Sequence, residues 1–537
     1  MPRGPLLSLL LAAAVLAAAG FFLRGYTTDD TFIHLRYAEN LLERGEFSFN
    51  PGERSYGATS PLWIFGLALL LTLGAPPLLA AWLLGALCGL LVVLLFWSML
   101  RRLDLPAAWG TVVLLLAVGD VWFLRWSFSG METPLATALL LVLVWPLIHR
   151  GGLPAGPGAW RLHLAWGVAA GLAALTRPEF MVIVPLAWPW LTWAGGGGSR
   201  PAGTPLIARL GAVVAGWLVV MGPWLAYAWS AFGRLTPGTA SAKSAAATLD
   251  PMVVGGYLWQ SAKVLGLTQG VMWLALAVLA AVLFIRNRRP VQGEAATAGP
   301  AFRRDVALVG IAMTWAAVLM GGYAAKQVWI ISRYICPLAP VLLLAAAVMA
   351  RRLAAAAPGR ARAAAWILGP AAIVTLALNA AVFTVQVVPH ARTFPSGVKE
   401  CYVGMGEWIR DNAEPDAVVA ALDIGAVGYA SGRRVLDLMG LVSPEVLAVG
   451  LEMGFQEMVT GGAWLEIGGG DDSRPDYFID RSEGSPRWAG RTVRGVRFEL
   501  LDTCEIAGMG LREPQPWTVA LYRLIPSETR TRPSAGG

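Results

Sequence analysis

Long apolar runs separated by short polar breaks dominate the chain. They fall near residues 4–23, 78–100, 106–124, 132–148, 163–176, 179–194, 206–230, 266–286, 304–322, 334–350 and 363–385. A run that approaches the roughly 20 residues needed to cross a bilayer reads as a membrane-spanning helix, and several of these are shorter than that. Eleven spans are predicted. A further apolar stretch from Pro61 to Gly74 is predicted to lie along the membrane surface, because a crossing there would invert the side of every later basic break. Those breaks are Arg101 and Arg102, His149 and Arg150, Arg286 to Arg289, and Arg351 and Arg352, and their spacing is the positive-inside pattern. With the amino terminus inside, the segments 24–77, 125–131, 231–265 and 323–333 and everything after 390 face away from the cytoplasm. Arg3 and the first run also resemble a signal peptide, but no clean A-x-A site precedes Gly25 and the run is long enough to span.

After residue 390 the pattern changes to charges, prolines and glycines spread as in a soluble domain of ordinary size. A helical pattern surrounds Trp408, and short apolar runs at Ala417–Leu422 and Arg434–Leu438 are bounded by Gly, Pro or Asp, so residues 390–537 are expected to form a mixed α/β extracytoplasmic domain. The expected fold class is a polytopic α-helical membrane protein over 1–389 carrying that domain. Composition agrees: 56% hydrophobic and 14% charged residues, with a mean hydropathy of +0.58, exclude an ordinary soluble protein. The net charge of +8 does not point to nucleic acid, since the basic residues mark membrane orientation.

Four cysteines divide between the two parts. Cys88 and Cys336 fall in apolar runs and read as buried small hydrophobes. Cys401 and Cys504 fall in the outer domain, where an oxidising compartment makes a disulfide between them the expectation. The four histidines form no ligand-spaced cluster, so no His/Cys metal site is proposed.

The chemistry gathers outside the spans. Asp29 and Asp30 are adjacent, directly after the first run and at the start of a helical pattern, TFIHLRYAENLL, that includes His34 and Arg36, both accessory candidates for the same site. One helix cap needs one carboxylate, so the second is a candidate for function. Glu132, at the head of a later span, completes a possible oxygen set: Asp29, Asp30 and Glu132 bordering one cavity would suit a divalent cation, Mg or Mn. Cationic groups sit at the same depth. Arg125, Lys243 and Lys326 read as snorkelling side chains, with Lys326 a weaker candidate for function. Arg177, before Pro178, and Arg333, before Tyr334, are candidates for a phosphate, which a planar guanidinium fork fits.

These phrases together, DD after the first span, NPGERSYGATSPLW, SGMET, TRPE, SRYICPLAP and VGYASGRRVLDLMGLV, resemble bacterial GT-C glycosyltransferases. That group includes protein O-mannosyltransferases, lipid A aminoarabinose transferases and, most similar, mycobacterial-type arabinofuranosyltransferases that use decaprenyl-phosphate arabinose. The resemblance implies an inverting transfer from a polyprenyl-phosphate sugar to an envelope glycan, lipid or protein outside the bacterial inner membrane. It implies Asp29 or Asp30 as general base and Glu132 as an orienting acid. The leaving phosphate then needs cationic groups, a task assigned to Arg177, Arg333 and Lys326. The sequence departs from the family's aromatic or Ala-Tyr-Ile phrase after the aspartates. His34, a turn onward, reads either as an aid to proton transfer or as a surface histidine with a hydrogen-bonded neighbour.

Two further readings concern the outer domain and the function class. The outer domain reads either as binding an acceptor glycan over the membrane cavity, with Trp408, Trp464, Trp488 and Trp517 as stacking candidates, or as simply covering the site, and tryptophans in α/β domains are usually core. DIGAVGYASG lacks the G-x-G-x-x-G spacing of a nucleotide loop. The alternative function is a transporter or flippase of lipid-linked saccharides, against which stand the absence of an evident repeat and charges gathered at one face.

Overall fold

The computed structural model of the chain describes residues 3–196, 204–238, 247–286, 299–355, 361–467, 474–511 and 515–527. Each predicted apolar run contains a helix. Among the described residues seven helices are long and apolar enough to cross a membrane, and eight if Ala107–Val118 and Val121–Ser127, bent by 55°, form one span. The bend has a local cause: Asp120 caps the second helix, its carboxylate accepting the backbone N–H groups of Trp122 and Phe123. The remaining runs are shorter helices at Leu6–Phe22, Trp160–Thr176 and Ile183–Gly195. The count of eleven is therefore reached only by including them. Pro61–Thr72 is 12 residues long, roughly 18 Å at 1.5 Å per residue and too short to cross. It packs between the helices Asp29–Arg44 and Pro77–Leu100.

Among the described residues, the basic breaks at Arg102 and at Arg351 and Arg352 meet at one end of the bundle. Asp305, 2% exposed, accepts from Arg304 at 3.1 Å and Arg352 at 2.6 Å, and also from Arg351. Arg351 and Arg333 lie at opposite ends of the helix Leu338–Ala355 and its lead-in turn, so the two groups of arginines are on opposite sides of the apolar zone. Arg288 and Arg289 lie outside the described residues.

The helix of the last predicted span, 363–385, continues without a break beyond it. One helical rod runs from Ala364 to Asn412, with wide turns at Phe383–Val387 and Val398–Val403, and so carries the chain out of the apolar zone into the carboxy-terminal domain. That domain is a six-stranded mixed sheet in the order β2-β1-β3-β6-β5-β4: β1 Val418–Ala421, β2 Arg434–Asp437, β3 Tyr477–Glu483, β4 Thr492–Val493, β5 Val496–Ala507 and β6 Pro516–Pro526. Strands β2, β1 and β3 are parallel, and β6, β5 and β4 extend the sheet antiparallel. Both strands expected from the sequence are present. Side chains alternate across a strand, and here the alternation divides two cores. Val418, Ala420, Leu436, Phe478 and Tyr522 face a core with Trp464 and Trp488, whereas Val419, Ala421, Val435, Ile479 and Leu521 join the core of the membrane part. Cys401, on the long rod, is disulfide-bonded to Cys504 of β5, with the Cα atoms 5.4 Å apart.

Candidate active site

The loop after the first helix folds back as the helix Asp29–Arg44, capped by Thr28. Asp29 and Asp30 thus share its first turn, where carboxylates complement the helix dipole. Successive helical residues point about 100° apart, and the two acids part company. Asp30 Oδ2 lies 2.6 Å from Nη2 of Arg333. Arg333 sits on the short turn Ser332–Ile335 that precedes a span.

Arg177 reaches the same place through backbone chemistry. A residue before proline is pushed out of the helical region, and Arg177 is extended (φ −151°, ψ 133°), which ends the helix at Thr176. Its guanidinium then bonds Glu132 Oε1 at 2.9 Å and Glu179 Oε1 at 2.7 Å, and donates to the backbone carbonyl of Arg333 at 3.4 Å. Tyr323 donates its hydroxyl to Glu179 at 2.5 Å. The Tyr334 ring lies 5.3 Å from the Arg177 guanidinium and 5.4 Å from that of Arg333. Burial disfavours the charge on Arg333, but Asp30, Tyr334 and Glu132 together reverse this and hold the guanidinium above the usual arginine range.

These groups line a cavity of about 540 Å³. Asp30, His34, Glu132 and Glu179 share its wall with Arg177, Lys326, Arg333 and Tyr334, while Val182, Trp315, Val318 and Leu319 supply an apolar side. Leu441 and Val442 of the outer domain close it. Among the described residues, Arg333 Nε and Glu132 Oε2 are buried without a hydrogen-bond partner, an open donor and an open acceptor at its polar end. A second cavity, of about 370 Å³, is lined on the other side by Asp29, Asp30 and Arg333 together with Tyr26, Trp122, Arg125, Trp126 and Trp329.

Several expected residues take other places. Asp29 accepts the backbone N–H groups of Gly425 at 2.9 Å and Ala426 at 2.8 Å. Burial and then the nearby Asp423 push its carboxyl up to about 7. Arg36 points away from the first cavity and donates to the carbonyls of Phe49, Gly428 and Arg433. His34 is 5% exposed and lines the cavity instead of the surface. Arg125 donates to the Tyr26 hydroxyl at 2.8 Å, and Lys243 lies outside the described residues. Trp464 and Trp488 are core residues, buried against Phe478 and Phe498, so neither can stack on a glycan.

The expected cation set needs correction. Among the described residues no three His, Cys, Asp or Glu side chains are grouped to hold a metal ion. Asp29 is committed to two backbone donors, Asp30 to Arg333 and Glu132 to Arg177, so these carboxylates do not form the oxygen shell that Mg or Mn requires. The reading from sequence also missed Glu179 and Tyr323. Glu179 had a signal, an acid two residues after Arg177 within an apolar stretch; Tyr323, just past the predicted span 304–322, had none.

Comparison with known proteins follows this geometry. Residues 396–527 match a family described as a domain of unknown function (DUF8728). Over 244 residues the chain is 30% identical to the terminal beta-(1->2)-arabinofuranosyltransferase of Mycobacterium tuberculosis (strain ATCC 25618 / H37Rv), an alignment covering 44% of this chain and 38% of that relative. The match thus spans well under half the relative's length. The fold is similar to ArnT from Cupriavidus metallidurans bound to undecaprenyl phosphate (TM-score 0.52, 15% identity, 96% of this chain and 97% of that one). It is also similar to the arabinofuranosyltransferase AftD from Mycobacteria (TM-score 0.53, 17% identity, 96% and 41%) and to the oligosaccharyltransferase AglB from Archaeoglobus fulgidus in complex with an inhibitory peptide and a dolichol-phosphate (TM-score 0.51, 11% identity, 89% and 69%). These solved structures are GT-C proteins, and the chain has the GT-C fold: a multi-pass membrane bundle with a carboxy-terminal sheet domain.

Proposed function

We propose that this protein is an inverting glycosyltransferase that moves a sugar from a polyprenyl-phosphate carrier to an envelope glycan, lipid or protein acceptor. One observation carries the reading: Asp30 and Arg333 form an ion pair shared by two cavities. One of these has a second buried arginine, Arg177, and an apolar side that includes Val182 and Val318, which are exposed on the bundle surface. A lipid phosphate fits that side. An acceptor hydroxyl reaches Asp30 from the aromatic-lined cavity opposite.

The chemistry follows from these placements. Asp30 takes the proton of the acceptor hydroxyl, whose oxygen forms the new bond to the anomeric carbon. The bond from that carbon to the phosphate oxygen breaks from the opposite face, inverting the centre, and the phosphate leaves with the electron pair. Arg333, Arg177 and Lys326 are placed to receive its growing negative charge. Glu132 and Glu179 hold Arg177 in position. Leaving phosphate needs no acid, so no proton donor is assigned.

Arabinofuranose is the favoured donor sugar, since two of the similar proteins are arabinofuranosyltransferases. The arginine cluster around Asp305 supports reading that end of the bundle as cytoplasmic, with the two cavities and the outer domain on the far side of a bacterial inner membrane. We assign residues 1–389 to the catalytic membrane part, with 24–77 as its active-site loop, and 390–537 to the outer domain. The test is transfer from synthetic decaprenyl-phosphate arabinofuranose to an arabinan oligosaccharide by purified protein. Asp30→Asn is expected to lose on the order of 10²–10⁴-fold in rate. Wild-type rates in that variant would refute the assignment of the base.

A further inference from the structure

The match at 396–527 is to a domain without an assigned function, and the first outer loop is fastened to that domain at several points. The helix Asp29–Arg44 lies along the short helix Gly425–Ser431 and holds both of its ends. At the start, the Asp29 carboxylate accepts two backbone N–H groups that have no partner within the helix. At the other end, Arg36 donates to the carbonyls of Gly428 at 2.6 Å and Arg433 at 3.2 Å. Anion at the amino end and cation at the carboxyl end is the arrangement the helix dipole favours. The approach is close enough to require glycine: a Cβ on Gly425 would lie 2.0 Å from the Asp29 carbonyl oxygen and 2.8 Å from its Oδ2.

A second tie lies farther along the same loop. Asn50 pairs with Val435 on edge strand β2 as another strand would, its side chain donating to the carbonyl at 2.8 Å and accepting the N–H at 3.0 Å. From the end of β2 the chain turns on Asp437, whose carboxylate accepts the N–H of Met439 at 2.9 Å and that of Val442 at 2.9 Å. That turn delivers Leu441 and Val442 to the cavity wall, where Val442 Cγ1 would meet a Cβ on Gly57 at 2.5 Å.

We infer that the outer domain is a brace and a wall of the reaction cavity, and that Asp29 is the positioning residue through which it fixes Asp30. The inference rests on the proposed transferase reading for its catalytic consequence, but the fastening itself is independent of it. Asp29 borders the second cavity beside Asp30, but both its carboxylate oxygens are taken by the backbone of Gly425 and Ala426; it holds the first helical turn and, through it, the direction in which Asp30, the next residue, points at Arg333.

The experiment uses the full chain in lipid nanodiscs and compares Asp29→Asn and Gly425→Ala, singly and together, with wild type. Amide hydrogen exchange over 28–44 and 425–435 needs no substrate; transfer kinetics use decaprenyl-phosphate arabinofuranose as probe. Each variant is expected to exchange at least tenfold faster in both segments. Each should also lower kcat at least tenfold with less than a threefold change in donor KM, and the double variant should be no worse than either single one. Unchanged exchange in Asp29→Asn overturns the inference, whatever the transfer assay gives. So does a kcat that falls only in proportion to the folded fraction measured by size-exclusion chromatography. An inactive wild type with exchange that responds as expected removes the transferase reading and keeps the brace.

Discussion

Asp30 and Arg333, one from the first outer loop and the other from the turn before a late span, form a 2.6 Å ion pair between two cavities. The pair holds the Asp30 carboxylate and the Arg333 guanidinium together at the boundary of the two cavities, with Arg333 beside the place where a leaving phosphate would sit. Arg333→Lys retains the charge but loses the planar fork. Donor KM is expected to rise about tenfold, equivalent to about 1.4 kcal/mol of binding, with the fold intact. Unaltered KM and kcat would show that the phosphate does not use this guanidinium.

Arg177 is the structural centre of the site. Its side chain and that of Glu132 are each 6% exposed, and Glu179 is 18% exposed. Removing one member of a buried ionic group leaves the others uncompensated, typically at about 3–5 kcal/mol. Arg177→Met is therefore expected to lower the apparent melting midpoint and the yield of folded protein, and Arg177→Met with Glu132→Gln to recover part of that loss. Thermal unfolding followed by size-exclusion chromatography checks this. A midpoint unchanged in the single variant would contradict the described geometry.

How far the sequence foretold this site depends on how local each signal is. Arg177 and Arg333 were visible because a basic residue in an apolar stretch is costly and the next residue, Pro178 or Tyr334, constrains it. Glu132 was visible at the head of a span. Asp29 and Asp30 were visible as a pair but indistinguishable, because what separates them is remote: the partners of Asp29 are 396 and 397 residues away. Arg36 was assigned to the site for the same reason, its outer-domain partners lying 392 and 397 residues off. In the fold, periodicity located every apolar helix but not its length. Past residue 385 the rod was legible only as the helical pattern around Trp408; that this helix is continuous with the last span was not, because the stretch between them carries no apolar pattern.

The Asp29 carboxyl gives a pH signature. Its folded value of about 7 lies above the ordinary 3.8, so between those values the folded chain holds a proton that the unfolded chain has released. Stability from this group therefore rises as pH falls from about 7 toward 4. Asp423, Asp30, Arg481 and Tyr402 face the same region, and all are retained in Asp29→Asn. The difference in melting midpoint between wild type and Asp29→Asn is expected to move in favour of wild type between pH 8 and pH 5.5, by about 1 °C or more. A difference independent of pH would show that Asp29 titrates at its ordinary value.

The disulfide offers the last test, because it joins the rod that leaves the membrane to the antiparallel half of the outer sheet. Cys401 and Cys504 are 103 residues apart in sequence, so the bond closes a loop containing β1, β2 and the Asp437 turn that reaches the cavity. Closing a loop of that size contributes about 2–4 kcal/mol, mainly by restricting the unfolded chain. Cys401→Ser with Cys504→Ser is expected to lower the unfolding midpoint of the outer domain and to speed exchange in β5. The helix Asp29–Arg44 should feel the change only when the domain opens. Transfer activity should therefore stay near wild type at low temperature and fall off several degrees earlier on heating. Activity lost at all temperatures would mean that the bond shapes the native cavity directly, and activity unaffected at every temperature would mean that the sheet stays docked without it.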